Sequence, residues 1–205
     1  MLSFGSQSLD FRDGSKRVKA LATKHLITVA EFGRMAEAGV FSEDERLELI
    51  EGEIIERSPI GRRHAARVRW LINLLTRRLG TAEAVIDAQD PLVLGELSNP
   101  QPDLVLLKPR ADFYADGHPQ AADVLLLIEV ADTSLVSDRE VKVPLYAQHG
   151  IPEVWLIDLE GAAVEVFREP TAEGYLRSRR LEERQTTLSA RLLPQLELTV
   201  GTLAG

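Results

Sequence analysis

The run Val124-Leu125-Leu126-Leu127-Ile128 passes directly into Glu129-Val130-Ala131-Asp132. Five consecutive apolar residues are too few for a typical helix and leave no charge to face water. They specify a central strand buried on both faces, and hence an α/β fold: a mixed β-sheet flanked by helices. A carboxylate at the end of such a strand is costly to bury unless a cation or strong donors meet it. Pro102-Asp103-Leu104-Val105-Leu106-Leu107 is a second strand of the same build, with its acid at the start. Two central strands, each with a carboxylate at one end, point to a metal site at the edge of a sheet.

The chain has 205 residues, enough for one domain with a sizeable core. Residues 1–24 hold few large apolar side chains and read as a flexible N-terminal arm, leaving 25–205 as a single domain. No apolar run reaches 18 residues, so no membrane span is expected. There is no signal-peptide core, and the expected location is the cytoplasm. With no Cys, disulfides, thiolate metal sites and Cys nucleophiles are excluded. The net charge of −8 weighs against a nucleic-acid partner, but local charge matters more than the sum.

Thr28-Val29-Ala30-Glu31 fits a capping box, opening a short helix that ends before Gly39. Alternating apolar and charged residues at 46–50 and 53–57 flank Glu51-Gly52 and predict a hairpin with Glu48 and Glu53 near its tip. Residues 62–79 carry the helical stripe Val68, Leu71, Ile72, Leu75 and Leu79. No acid stands between Arg57 and Gly80, while Arg62, Arg63, Arg67, Arg69, Arg77 and Arg78 crowd the helix. In an acidic chain this is either a solvated face or a phosphate-binding patch, with Arg62, Arg63 and Arg67 the candidate DNA contacts.

Residues 84–86 and 92–94 read as short strands, and 108–122 as a loop or short helix. Ser137-Asp138-Arg139-Glu140 reads as a capping box, although Pro144 fits its helix only if the helix begins near Val143. Strands are expected at 154–158, 163–167 and 175–178, and the apolar tail from Leu188 as an irregular lid.

Pro102-Asp103 followed by Glu129 matches the spacing of the PD-(D/E)XK nuclease signature. Carboxylates on adjacent strand ends hold Mg²⁺ or Mn²⁺ through oxygen ligands, and the ion polarises a phosphodiester and activates water. The usual lysine, two residues past the second acid, is replaced by Ala131; Lys142, on the following helix, is the substitute.

The segments Arg46-Leu47-Glu48-Leu49-Ile50-Glu51-Gly52-Glu53, His64, Pro102-Asp103, Leu127 to Val130, Asp138 to Lys142 with Pro144-Leu145-Tyr146, and Gly150 to Asp158 resemble, in order, the Uma-two family of restriction endonucleases. The resemblance spans about Thr28 to Pro170 and implies a restriction-endonuclease-like fold with a migrated lysine. It implies Mg²⁺ (or Mn²⁺), a metal position at Asp103, Glu129 and Val130, and catalytic roles for Asp103, Glu129 and Lys142. Glu48, Glu53 or His64 would complete the site. DNA is the implied partner and, by analogy with enzymes that cut both strands, a homodimer the implied assembly. The competing function is a catalytically inactive module of the same fold that binds nucleic acid or protein.

Overall fold

The computed structural model describes residues 24–42 and 44–205, so the expected arm at 1–24 lies, but for Lys24, outside the described residues. The first element is α1 (Val29–Glu37), whose N-terminus carries the capping box: the Thr28 hydroxyl accepts from Glu31 N, and the Glu31 carboxylate accepts from Thr28 N. The hairpin β1 (Leu47–Ile50) and β2 (Glu53–Glu56) follows. Its two turn residues, Glu51 (φ 49°) and Gly52 (φ 80°), are both left-handed, as a tight hairpin with the strands' own twist requires. A Cβ on Gly52 would stand 2.6 Å from Leu26 Cβ, so glycine here serves both turn and packing.

After α2 (Arg62–Arg78) the main sheet begins. Its strands are β3 (Val85–Asp87), β4 (Leu104–Leu107), β5 (Val124–Ala131), β6 (Glu153–Asp158), β7 (Ala163–Thr171) and β8 (Gly174–Leu181), in that spatial order. Only β5 and β6 are parallel. The crossover between them contains a helical turn α3 (Leu135–Ser137), a π-turn at Asp138–Lys142 and α4 (Val143–Gln148). The mixed sheet flanked by helices is the architecture expected.

Strand alternation then decides which side chain meets which layer. Leu126, Ile128 and Val130 of β5 pack with Leu104 and Leu106 against Val68, Leu71 and Leu75 of α2. Leu127 and Ala131 share the other face with Val105 and Leu107, against Val143, Leu145 and Tyr146 of α4. Glu129 and Asp103 fall in the second set by the same period of two. Because β4 and β5 are antiparallel, with Leu104 opposite Ile128, the start of one strand and the end of the other meet at one end of the sheet.

Three local expectations are corrected. Residues 92–94 form no strand: Val93 makes a single bridge to Gln120 and Leu94 one to Ser98, and the chain turns back at Gly95 (φ 66°) before a ladder can grow. Ser137 does not cap a helix; it is itself helical, and the bond from Val143 N to Asp138 O spans five residues. That wider turn lets the helix restart at Val143 with Pro144 in its first turn, where the missing N–H has no partner to lose. The tail is no irregular lid but a hairpin, β9 (Thr187–Ala190) and β10 (Leu193–Thr199), ending in α5 (Val200–Ala204). Leu188, Leu196, Leu198 and Val200 cover the α2 face of the sheet. No helix among the described residues is long and apolar enough to cross a membrane.

Candidate active site

Asp103 and Glu129 are both almost completely buried, and each holds the other's strand. Asp103 N donates to Glu129 Oε2 at 3.2 Å, and Val130 N donates to Asp103 Oδ2 at 2.9 Å. The backbone groups at the frayed end of the β4–β5 ladder are thus satisfied by the two carboxylates rather than by further ladder bonds. Val130 itself meets the site only through its main chain, its side chain being core.

The crossover supplies the next groups. Asp138, Lys142 and Tyr146 are four residues apart and all buried, which places them on one face of the irregular helix, turned toward the acids. Lys142 Nζ lies 3.1 Å from Glu48 Oε1 and 3.2 Å from Glu129 Oε1. The Tyr146 hydroxyl donates to the same Glu129 oxygen at 2.6 Å. Asp138 accepts from Ser134 Oγ at 2.5 Å.

Glu48 arrives from β1, which is pinned to the sheet by Asn99 N donating to Leu49 O at 2.7 Å and Gln101 N donating to Glu48 Oε1 at 2.8 Å. Arg57, just beyond β2, sits 3.2 Å from the same Glu48 oxygen. His64, one turn into α2, has Nε2 at 2.9 Å from Asp103 Oδ2, while its buried Nδ1 has no partner among the described residues. Gln89, in a left-handed backbone conformation (φ 60°), reaches Asp103 Oδ1 at 3.4 Å.

Of the residues singled out from sequence, Glu48, His64, Asp103, Glu129, Val130 and Lys142 converge. Glu53 does not: it lies opposite Ile50 at the hairpin tip, exposed, and pairs with Lys24. Arg62 and Arg63 stand on the exposed first turn of α2, with Arg63 bonded to Leu159 O and 3.6 Å from Asp132. Arg67 points to the C-terminal helix, 3.3 Å from Thr202 O and over the Trp70 ring. Arg57, Asp138 and Tyr146 were not foreseen as site residues. The four-residue spacing of Asp138, Lys142 and Tyr146 was the available signal.

The acids are electrostatically unequal. Burial pushes the Glu129 carboxyl up to about 8, with Asp103 and Asp138 reinforcing it against the opposing charges of Lys142 and Arg57. Burial also works to raise Asp103, but the hydrogen bond and charge of His64, the Val130 N–H and Arg57 outweigh it and hold it below the usual carboxylate range. Burial alone would lower the Lys142 ammonium; Glu129 and Glu48 reverse this and raise it. Asp138 is raised, chiefly by burial. Burial and then the Glu129 charge raise the Tyr146 phenol far above its ordinary value, so its hydroxyl acts as a donor. Environments that drive two neighbouring carboxyls apart are a mark of acid–base sites.

Beside this cluster, a cleft of about 450 Å³ opens between β2 with its 58–61 linker and the turn at 132–138, with Glu48, His64, Asp138 and Lys142 in its wall. Among the described residues no three His, Asp or Glu side chains close around a common point as a complete metal cage. The donor chemistry still fits a hard divalent ion. Buried Glu48, Asp103, Glu129 and Asp138 face two permanent cations, Lys142 and Arg57, which leaves negative charge in excess when all are ionised. Among the described residues Asp103 Oδ1 has only the long contact to Gln89. Mg²⁺ commonly binds through one or two carboxylates and completes its shell with water.

A putative nuclease belonging to DUF820 from Anabaena variabilis ATCC 29413, known from its crystal structure, superposes with a TM-score of 0.66 at 19% identity, covering 87% of this chain and 97% of that one. At that identity the likeness establishes the fold alone, a central mixed sheet flanked by helices. A search of curated proteins returns no match. The family model Uma2, described as "Putative restriction endonuclease", matches residues 29–201, most of the chain, and the chain therefore belongs to that family.

Proposed function

We propose that the protein is a divalent-metal-dependent endonuclease that hydrolyses phosphodiester bonds in DNA. The observation that carries the reading is the position of Lys142, whose ammonium spans Glu48 and Glu129 at the sheet end that also bears Asp103. Family membership supports a nuclease-type activity. Asp103 and Glu129, with Val130 beside them, would hold Mg²⁺ or Mn²⁺; the ion would polarise the phosphodiester and lower the pKa of a water.

The chain's own residues do the rest. Asp103, held ionised beside His64, supplies the permanent negative charge of the site. Tyr146 and Lys142 fix the rotamer of Glu129 through one oxygen. Lys142 holds positive charge where an attacking water and a pentavalent phosphate would develop negative charge, and its flexible stem lets it follow that charge. Glu48 keeps the ammonium in place, and Arg57 keeps Glu48 in place. Arg62, Arg63 and Arg67 of α2 are assigned to the DNA backbone flanking the cleft. A homodimer would present two such clefts to the two strands of a duplex.

The test is incubation of the protein with plasmid and oligonucleotide pools in Mg²⁺ or Mn²⁺, with Asp103→Ala and Lys142→Ala as controls. Cleavage by the wild type should be abolished in both variants while their folds persist. A wild type that binds DNA but cleaves none under either ion would make this an inactive binding module instead.

A further inference from the structure

Four basic side chains line the cleft, and three of them already have carboxylate partners. Lys142 pairs with Glu48 and Glu129, Arg57 with Glu48, and His64 with Asp103. The fourth is Arg46, the residue before β1. Its Nη1 donates to Ser58 O at 3.1 Å. Among the described residues no carboxylate lies within ion-pair distance of it. A guanidinium has five N–H donors in a rigid fork that matches phosphate oxygens, and here the carbonyl of Ser58 takes one.

The backbone sets this arginine beside a second one. Arg57 N donates to Arg46 O at 2.8 Å, extending the hairpin by one pair beyond Leu47 and Glu56. Arg46 and Arg57 are therefore direct cross-strand neighbours, and like charges so placed repel. Arg57 pairs with Glu48, whereas Arg46 has no ion pair among the described residues and meets the charges of Asp103 and Glu48 only at longer range. Burial and then the Arg57 charge work against the Arg46 cation and outweigh the more distant Asp103 and Glu48, so its pKa is lowered. A half-buried arginine beside another arginine, lining the same cleft as Glu48 and Lys142, has no carboxylate partner among the described residues.

We propose that Arg46 is the substrate anchor of this cleft, its guanidinium binding a phosphodiester oxygen of the nucleic-acid backbone and setting the strand against the acids and Lys142. This deepens the nuclease reading and rests on it. It differs from the arginines of α2 in location: those lie along an outer helix face, whereas Arg46 lines the cleft itself.

The experiment is fluorescence anisotropy of labelled duplex and single-stranded oligonucleotides in EDTA, over a salt series, with cleavage measured separately in Mg²⁺ or Mn²⁺. The proteins are the wild type, Arg46→Gln, Arg46→Lys and, as a charge control, Arg177→Gln on the edge strand β8. Arg46→Gln should weaken binding roughly tenfold at low salt, as loss of a charge-assisted hydrogen bond does. It should also reduce the slope of log K against log salt by about 1. Arg46→Lys keeps the charge without the fork, so it should retain the slope and recover part of the affinity. Arg177→Gln should match the wild type. Should Arg46→Gln bind with wild-type affinity and slope while the wild type cleaves DNA, the anchor falls and the nuclease stands. Should Arg46→Lys lose as much slope as Arg46→Gln, or Arg177→Gln lose as much affinity, the effect is not a phosphate contact at this site and the proposal is overturned. A wild type that neither binds nor cleaves nucleic acid ends the nuclease reading first and the anchor with it.

Discussion

Glu129 Oε1 receives two donors, the Lys142 ammonium and the Tyr146 hydroxyl, and they differ in what they contribute. The ammonium supplies charge; the phenol supplies direction, because it sits on the rigid inner face of α4 and is fully buried. Tyr146→Phe deletes one oxygen without changing the packing. It should destabilise the fold by about 1–2 kcal/mol, the usual loss when a buried hydrogen bond is cut from one side. It should also lower kcat more than KM, since Glu129 keeps its place but not its orientation. Thermal unfolding and steady-state cleavage read these separately, and a Phe variant with wild-type kcat would reduce Tyr146 to a packing residue. At this scale the sequence was legible where burial made a residue anomalous. A carboxylate after five apolar residues announces itself, and Ala131 in the usual lysine position sends the search to Lys142. Arg57 gave no sign, and Tyr146 only its four-residue spacing from Lys142, because an arginine after a strand and an aromatic on a helix are unremarkable until their partners from distant segments are known.

Among the elements, β6 shows how a buried charge can secure a junction outside the site. Glu153, at its start and fully buried, accepts from Trp155 Nε1 at 2.7 Å, from Arg168 Nη2 at 2.7 Å and from Arg191 N at 2.6 Å. One carboxylate thus joins β6, β7 and the turn between β9 and β10. Removing it leaves the part-exposed Arg168 guanidinium with Ser189 O and a buried indole N–H without its acceptor, so Glu153→Ala should destabilise by about 1–3 kcal/mol, the range for leaving a buried donor unsatisfied. Urea unfolding measures this directly; a change below about 1 kcal/mol would mean the pair contributes little beyond packing. Element reading from sequence succeeded where periodicity was long, as in α2 and β5. It failed at 92–94, where the buried Leu92 and Leu94 alternate as in a strand but the chain turns at Gly95. It failed again in the tail, where the register shift between Leu193 and Glu197 breaks the period that would have revealed the hairpin.

For the whole molecule, the order of strands, with the one parallel pair at β5 and β6, could not be read from local pattern, since it depends on which apolar faces meet after collapse. That order brings residues as distant as Glu48 and Lys142 together and collects negative charge at one end of a sheet in a chain already at −8. Unfolded, those carboxylates are solvated and separate; folded, they repel across a poorly solvated cluster that Lys142 and Arg57 neutralise only in part. A divalent cation that binds the folded state alone must therefore raise its stability, by about 2.7 kcal/mol at a hundred times its Kd. For a domain of this size that corresponds to a rise in Tm of roughly 5–10 °C in Mg²⁺ or Mn²⁺ over EDTA. The rise should vanish in Asp103→Ala, which removes the carboxylate with the open oxygen. Lys142→Ala should show a rise at least as large as the wild type, because loss of the ammonium leaves more negative charge for the ion to neutralise. Scanning calorimetry of the three proteins decides the matter: an equal rise in Asp103→Ala would assign the effect to screening of the acidic surface, and no rise in the wild type would remove the metal from this site.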